Sequence, residues 1–248
     1  MAGKPAARID DNVGGSKILS GSTTVFFGDN AEGKADKPSS CKPSTGCPVN
    51  PLLGVKLLPA ETDFALVAPS TFAFARGYLS SNARVGVLGR GWTTPADGIA
   101  LRMEENATVL IDGQGRQLHF GPLAGGEERH SPSEQVTLRR GGGIEPWQGR
   151  WADVPPELRQ DPHSVFLLSD EGWLRFTPQG TLWRLQDMAT SFGYTTRFVW
   201  SESGVVSEIH DSAGRCYALV YTRIPVDDEA DAGLRLVGVV LANRQGPL

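Results

Sequence analysis

The side chains best able to do chemistry in this 248-residue chain, its cysteines and histidines, are few and widely spaced. Zinc sites and catalytic triads need three or four such groups in one place. Cys41 and Cys47 lack the Cys-x-x-Cys spacing of metal sites, and an odd, sparse set of thiols favours a reducing compartment over a disulfide scaffold, although a Cys41–Cys47 bridge stays open. The sequence therefore predicts no bound metal and no cofactor. The other residues considered are Cys216, His119, His130, His163 and His210.

Nucleophilic and phosphate-binding motifs are missing from the sequence. A Ser/His/Asp set can be written from His130, Ser131 and Asp161, but no serine has the Gly-x-Ser-x-Gly surroundings of a nucleophile elbow. The glycines at 141–143 lack the Gly-Lys-Ser/Thr ending of a phosphate loop and predict a flexible tip. We therefore predict no catalytic residue and no enzyme.

Two copies of an Asp-x-x-Gly-Arg motif each follow an apolar run, and a third, shorter copy begins at Asp170. An aspartate at the first position of a turn accepts hydrogen bonds from the backbone ahead, and the glycine supplies a positive φ. Turn chemistry explains these residues without a calcium ion, and it predicts strand-turn-strand units. The two full copies contain Asp112, Gly115 and Arg116, and Asp211, Gly214 and Arg215.

The elements that position these turns are predicted to be almost all β-strands. Short runs rich in Thr, Val, Ile and aromatic residues alternate with Gly, Pro, Asp and Asn, which excludes a βαβ plan. The single helix signal covers residues 153–160. The run at 234–241 is expected to leave an unpaired edge. The predicted strands are 71–78, 99–103, 108–111, 117–120, 135–139, 165–168, 173–176, 181–185, 196–200, 205–210, 216–221 and 234–241.

Composition and charge exclude several classes of function. Lys and Arg number 24 against 28 Asp and Glu, for a net charge of -4, so a phosphate-tracking nucleic-acid surface is not predicted. The longest apolar run, residues 236–242, falls far short of the about 20 residues that a membrane helix needs. Because the N-terminus has no apolar region of the signal-peptide kind, we expect the protein to be cytoplasmic in the producing cell.

Residues 198–221 resemble the tyrosine/aspartate (YD) repeat of Rhs proteins. The matching residues are Phe198-Val-Trp200, Gly204, Asp211-x-x-Gly214-Arg215-x-Tyr217 and Tyr221. At the position of Trp200 the repeat more commonly has Tyr. The blocks PVNPLLG and TDF within residues 48–64, RGYLS at 76–80 and GVLGRGW at 86–92 look like the N-terminal entry of the Rhs shell. The resemblance implies an all-β fold in which antiparallel β-hairpin repeats form the start of a curled β-sheet shell.

The first residues are similar to the prePAAR motif that precedes PAAR spike-tip domains in type VI secretion effectors. Ala6, Ala7, Arg8 and Asp11 match the motif, and Gly15 stands where it usually has His. Residues 15–26 look like a PAAR core segment. The resemblance implies a PAAR-like β segment at 1–27 that mounts on the VgrG spike protein, a flexible linker at 28–47, and an incomplete Rhs shell region at 48–248.

The implied function is a non-catalytic delivery module of a type VI secretion toxin. The shell would enclose a C-terminal toxin domain, and the spike would export it without a signal peptide. Rhs shells normally continue to an Asp-Pro-x-Gly motif, so we expect the natural chain to extend past Leu248. The family also implies cleavage between Cys47 and Pro48. Two alternatives stay open: a cell-surface YD-repeat adhesion or carbohydrate-binding protein, and a module that cleaves itself at that junction.

Overall fold

The computed structural model describes residues 12–13, 16–17, 49–50, 54–144, 146–169, 172–225 and 233–242, and it confirms the predicted all-β, antiparallel fold. The prePAAR residues Ala6, Ala7, Arg8 and Asp11 lie outside the described residues, and so do the linker at 28–47 with the Cys47–Pro48 junction and Asp170 of the third turn.

Most strands lie where the apolar runs predict them. The N-terminal strands are β1 (Asn12–Val13), β2 (Ser16–Lys17), β3 (Val49–Asn50), β4 (Val55–Ala65), β5 (Ala73–Leu79), β6 (Val85–Gly86), β7 (Gly89–Arg90) and β8 (Trp92–Thr93). The remaining strands are β9 (Ala100–Met103), β10 (Thr108–Ile111), β11 (Gln117–Phe120), β12 (Glu128–Ser131), β13 (Val136–Arg140), β14 (Val165–Ser169), β15 (Gly172–Gln179), β16 (Leu182–Thr190), β17 (Thr195–Trp200), β18 (Val206–His210), β19 (Cys216–Arg223) and β20 (Leu234–Ala242).

Twelve of these strands form one antiparallel sheet. Strands β12 to β20 follow each other in chain order, each paired with the next, as hairpin repeats require. Strand β16 also joins a second meander of β9, β10 and β11, because its first half pairs with β9 and its second half with β17. A smaller sheet has the order β3-β4-β5-β8.

The smaller sheet packs its aromatic side chains against the large one. The Phe72 ring meets Phe198 edge-on at 6.4 Å between centroids, and Phe64 lies 5.5 Å from Tyr217. Phe198 and Tyr217 are almost fully buried, so this contact is central to the main core. The entry segment therefore covers one face of strands β17 and β19.

A second core lies on the opposite face of the large sheet. The segment between β13 and β14 contributes a 3-10 turn (Gly149–Asp153) and the one-turn helix α1 (Pro156–Arg159). Trp147 of this segment packs edge-on against Phe166, and Trp151 packs against Trp147. These tryptophans therefore pack against the sheet as part of its second core.

Two local interpretations of the sequence are wrong. Trp92 follows Gly89-x-Gly91 and is expected from the sequence to fill the core where the chain enters the sheet, but it is half-buried and packs against Tyr78, with 5.2 Å between ring centroids. The glycines at 141–143 do not form a flexible tip, since the Gly141 N–H donates to the Ser164 carbonyl and a Cβ on Gly143 would collide with the backbone of Gly126. These glycines permit two chain segments to cross in contact.

No helix among the described residues has the length and apolar character needed to span a membrane.

Candidate functional site

The Asp211 turn is the most heavily bonded polar site among the described residues. Asp211 Oδ1 accepts from the backbone N–H groups of Ala213 and Arg215, both at 2.9 Å. Its Oδ2 accepts from Arg215 Nε at 2.6 Å and from the Tyr217 hydroxyl at 2.9 Å. Gly214 has a φ of 76°, which lets the chain return as strand β19. One carboxylate thus holds the whole hairpin end together.

The Asp112 turn repeats this geometry. Asp112 Oδ1 accepts from the N–H groups of Gln114 and Arg116 at 2.9 Å, and its Oδ2 accepts from Arg116 Nε at 2.7 Å. Gly115 has a φ of 79°. The residue six positions after the aspartate is Leu118 here, where the other copy has Tyr217, so the fourth donor is lost.

The two turns differ in what they contact. The Asp211 turn is clamped to the loop that joins β4 and β5: Arg215 Nη2 donates to the Leu66 carbonyl at 3.0 Å, and the Ser212 hydroxyl bonds both backbone groups of Ser70. The Asp211 side chain is fully buried, whereas that of Asp112 is one-fifth exposed. The Asp211 turn therefore connects the repeat sheet to the entry segment.

Two further hairpins have the same backbone turn without the aspartate. The Thr190 N–H donates to the Tyr194 carbonyl, and the Ser201 N–H donates to the Val205 carbonyl. Gly193 completes the first turn with a positive φ. Sequence reasoning missed the repetition at 190–194, because the motif search relied on aspartate and the backbone geometry needs only the glycine.

Burial and hydrogen bonding act in opposite directions on the Asp211 carboxyl. Burial alone raises its pKa, but the bonds from Arg215, Tyr217 and Ala213 together outweigh it and lower the pKa below the ordinary value of 3.8. Burial, aided by the neighbouring Asp211 charge, raises the pKa of Tyr217 to about 12. At neutral pH the pair is therefore an ionised acceptor with a neutral hydroxyl donor.

The GVLGRGW block is bound by a buried carboxylate from outside it, that of Asp97, which sequence reasoning missed. Asp97 Oδ2 accepts from the Val87 N–H at 2.6 Å, and its Oδ1 accepts from the Thr94 N–H and hydroxyl. A Cβ on Gly86 would collide with the Asp97 carboxylate. The first glycine of the block is thus required by the close approach of Asp97.

A row of charged side chains crosses three neighbouring strands of the large sheet, β15, β16 and β17. Sequence reasoning also missed this row. Asp187 is buried and bonds Arg175 Nε at 2.7 Å and Arg197 Nε at 2.9 Å, each from a neighbouring strand. Register determines this row, because Asp187 lies directly opposite both arginines. A single sequence shows the residues but not which of them face each other.

We predict that Asp187→Ala lowers the free energy of unfolding by about 2–3 kcal/mol, because Arg175 then loses the carboxylate that accompanies its burial. The matched control is Glu104→Ala, which removes the exposed Arg102–Glu104 pair with the same 2.7 Å N–O distance. That change should cost at most about 1 kcal/mol. Urea unfolding measures the free energy of unfolding of both variants. Equal losses of stability would contradict the view that the buried Asp187 carboxylate stabilises the sheet through its two arginines.

The residues of the hypothetical hydrolase do not form one site. His130 Nδ1 bonds the Thr137 hydroxyl, Ser131 bonds Ser133, and Asp161 bonds the Ser164 hydroxyl. Each of the three has a structural partner of its own.

Strand β20 forms the last edge of the large sheet. It pairs with β19 on one side, and no strand of the described part of the chain pairs with its other side. One bond, from the Leu236 N–H to the Val87 carbonyl, covers the start of that edge. Val237, Val240 and Leu241 are 60%, 53% and 47% exposed. An apolar strand with a free edge is a docking surface for further β-structure.

Comparison with known proteins gives this geometry a context. Residues 46–120 match the profile of a domain of unknown function, DUF6531. Along its whole length the chain is 50% identical over 253 aligned residues to the toxin protein Tse5 of Pseudomonas aeruginosa, of which it spans 19%. It is 35% identical over 97 residues to double-stranded DNA deaminase toxin A of Burkholderia cenocepacia, covering 38% of this chain and 7% of that toxin. The chain thus corresponds to a small part of much longer toxins.

Proposed function

Because the chain belongs to the Rhs/YD-repeat toxin proteins of type VI secretion, we propose that it is a delivery module that forms the first part of the β-shell around a C-terminal toxin. The shell and the toxin would lie in the remainder of the full-length protein, since the chain spans about a fifth of its relative Tse5.

The observation that carries this proposal is the open, apolar β20 edge. The entry segment covers one face of β17 and β19, and in the described part of the chain the outer edge of β20 has no strand paired with it. Repeat sheets gain stability by stacking each hairpin on the next, so an exposed terminal strand marks the direction of growth. We propose that the following hairpins of the full-length shell continue from β20.

Mounting on the spike is assigned to residues 1–27, with the linker at 28–47 and the shell region at 48–248. Arg8 and Asp11 are the residues we expect to assemble the tip with VgrG. We also propose that the protein is cytoplasmic in the producing cell and leaves it through the type VI apparatus. This arrangement leaves catalysis to the toxin domain.

Deleting residues 1–27 is expected to abolish binding to VgrG and to leave the β region folded. The core that the described residues form begins at residue 64, and the deletion retains all of it. Co-purification with VgrG of the same bacterium measures binding, and circular dichroism measures folding. Retained binding by the folded deletion variant would contradict the assignment of the mount, and the double variant Arg8→Ala, Asp11→Ala narrows it to the motif.

Cleavage between Cys47 and Pro48 is a further part of the proposal, as a step of the full-length protein. Intact-mass measurement of the shell fragment should give an N-terminus beginning PVNPLL. If cleavage is carried out by the protein itself, purified full-length protein should process in the absence of any protease. If neither the protein isolated from cells nor the incubated purified protein shows a fragment that begins at Pro48, the cleavage step is contradicted.

The adhesion alternative is weaker on structural grounds. The tryptophans best suited to stack on a sugar ring are not accessible, because Trp147, Trp151 and Trp173 are only 8%, 6% and 3% exposed. Surface display would also require export by a route other than the spike.

A further inference from the structure

The hairpin of β18 and β19 brings together three side chains of different types that can bind a metal ion. His210 lies directly opposite Cys216, and Glu208 is two residues before His210 on the same strand face. Ile209 and Tyr217, which alternate with them, point into the main core. Glu208, His210 and Cys216 therefore share the other face of the sheet.

The three side chains are close enough to hold one ion. Their ligand atoms all lie within 4.8 Å of one another, and His210 Nε2 is 2.8 Å from Glu208 Oε2. Cys216 is buried, whereas the His210 and Glu208 side chains are 28% and 31% exposed. An ion can thus approach from solvent through the histidine and the carboxylate, with the sulfur as the floor of the site.

We infer that Glu208, His210 and Cys216 form a zinc site that links β18 to β19. A thiolate, an imidazole and a carboxylate are the donor types that Zn²⁺ takes in proteins, and the mixed set disfavours Mg²⁺ and Ca²⁺, which prefer oxygen alone. Three protein ligands leave the fourth tetrahedral position for water or another ligand. Binding releases the thiol proton and replaces the His210–Glu208 hydrogen bond by two metal bonds.

The cross-strand neighbours of the three ligands leave room for an ion. Ala218 and Ala242, opposite Glu208 and Cys216, are small and leave room beside the ligands. Arg197 lies opposite His210, but its guanidinium is engaged with the Asp187 carboxylate at 2.9 Å. Asp187 therefore holds this guanidinium, and it shares its single negative charge between Arg197 and Arg175.

This inference departs from the expectation of no metal, which rested on histidine and cysteine spacing in the sequence. The hairpin turn at 211–215 reverses the chain, so that a histidine and a cysteine six residues apart become cross-strand neighbours. A search for the usual zinc motifs does not include this arrangement.

Cobalt titration of the full 248-residue chain tests the site. Cys41→Ser and Cys47→Ser are introduced first, so that Cys216 is the single thiol. We expect one Co²⁺ per chain with thiolate-to-cobalt charge-transfer absorption, displaced by Zn²⁺, and a higher Tm with Zn²⁺ than without it. Absence of the charge-transfer band in the folded protein would overturn the inference.

Variants of the ligands distinguish this site from adventitious binding. In the same background, Cys216→Ser should remove the band, and His210→Gln and Glu208→Gln should each weaken Co²⁺ binding by at least about tenfold, the smallest loss typical of a metal-supporting group. His130→Gln is the matched control, an exposed-strand histidine bonded to Thr137, and should leave binding unchanged. If Cys216→Ser does not fold, the variants His210→Gln and Glu208→Gln decide the question. Unchanged Co²⁺ affinity in both of them would contradict the site.

Discussion

Asp211→Ala is expected to lower the free energy of unfolding by about 3–5 kcal/mol, the range measured when one partner of a buried ion pair is removed. The carboxylate accepts four hydrogen bonds, from two backbone N–H groups, Arg215 and Tyr217. Its loss leaves the Tyr217 hydroxyl buried without its acceptor and releases Arg215 from the turn. Urea unfolding followed by circular dichroism measures the change.

Asp112→Ala is the matched control, because the same backbone turn surrounds a carboxylate that is partly exposed and lacks the tyrosine donor. It should cost about 1 kcal/mol, the net value of an ordinary hydrogen bond. Equal losses at the two positions would show that the turn alone matters and that the Asp211 clamp to the entry segment does not.

The Asp211 contribution should also depend on pH with a defined sign. Its pKa in the fold lies below the ordinary value of 3.8, so the folded state favours the ionised form. The stabilisation is therefore complete above the unfolded pKa of about 4 and is lost as pH falls through the lower folded value. The difference in stability between the wild type and Asp211→Asn should narrow as the pH falls below about 4, and a constant difference would contradict this.

The second large effect is self-association of the isolated chain through β20. Its exposed valines and its unpaired backbone edge form a template for another strand. Light scattering should show dimers or larger species at high concentration. The double variant Val237→Lys, Val240→Lys should be monomeric, because charges on an edge strand oppose pairing.

Val67→Lys is the control for a general effect of charge on solubility. Val67 is 93% exposed and lies in the β4–β5 loop, so this variant should associate as the wild type does. A wild-type chain that stays monodisperse and monomeric would contradict the proposal that the shell grows from β20.

Much of this fold follows from local sequence. The strands β10 and β11 have the predicted bounds, because the Asp-x-x-Gly turn between them marks where the first strand ends and the second begins. Strand β4 was missed for the opposite reason: nearly all its side chains are exposed and it contains Pro59, so no apolar period marks it. Strand β12 is a polar edge strand and has no such signal either.

The site residues divide in the same way. Asp112 and Asp211 are visible in the sequence because their chemistry is local, within six residues of the groups they bond. The Asp187 row and the Glu208, His210 and Cys216 cluster depend on cross-strand register, which brings distant residues together. The contact of Arg215 with Leu66 joins residues 149 positions apart, and no local pattern encodes it.

The most direct test of the delivery proposal is an immunoblot of culture supernatants with an antibody against residues 48–248. Supernatants are compared from producing bacteria with and without an assembled type VI apparatus. We predict an antigen of roughly five times 26.6 kDa, or its processed fragments, that is released only when the apparatus is assembled. Release that is unaffected by loss of the apparatus, or a product of 26.6 kDa retained in the cells, would contradict the account.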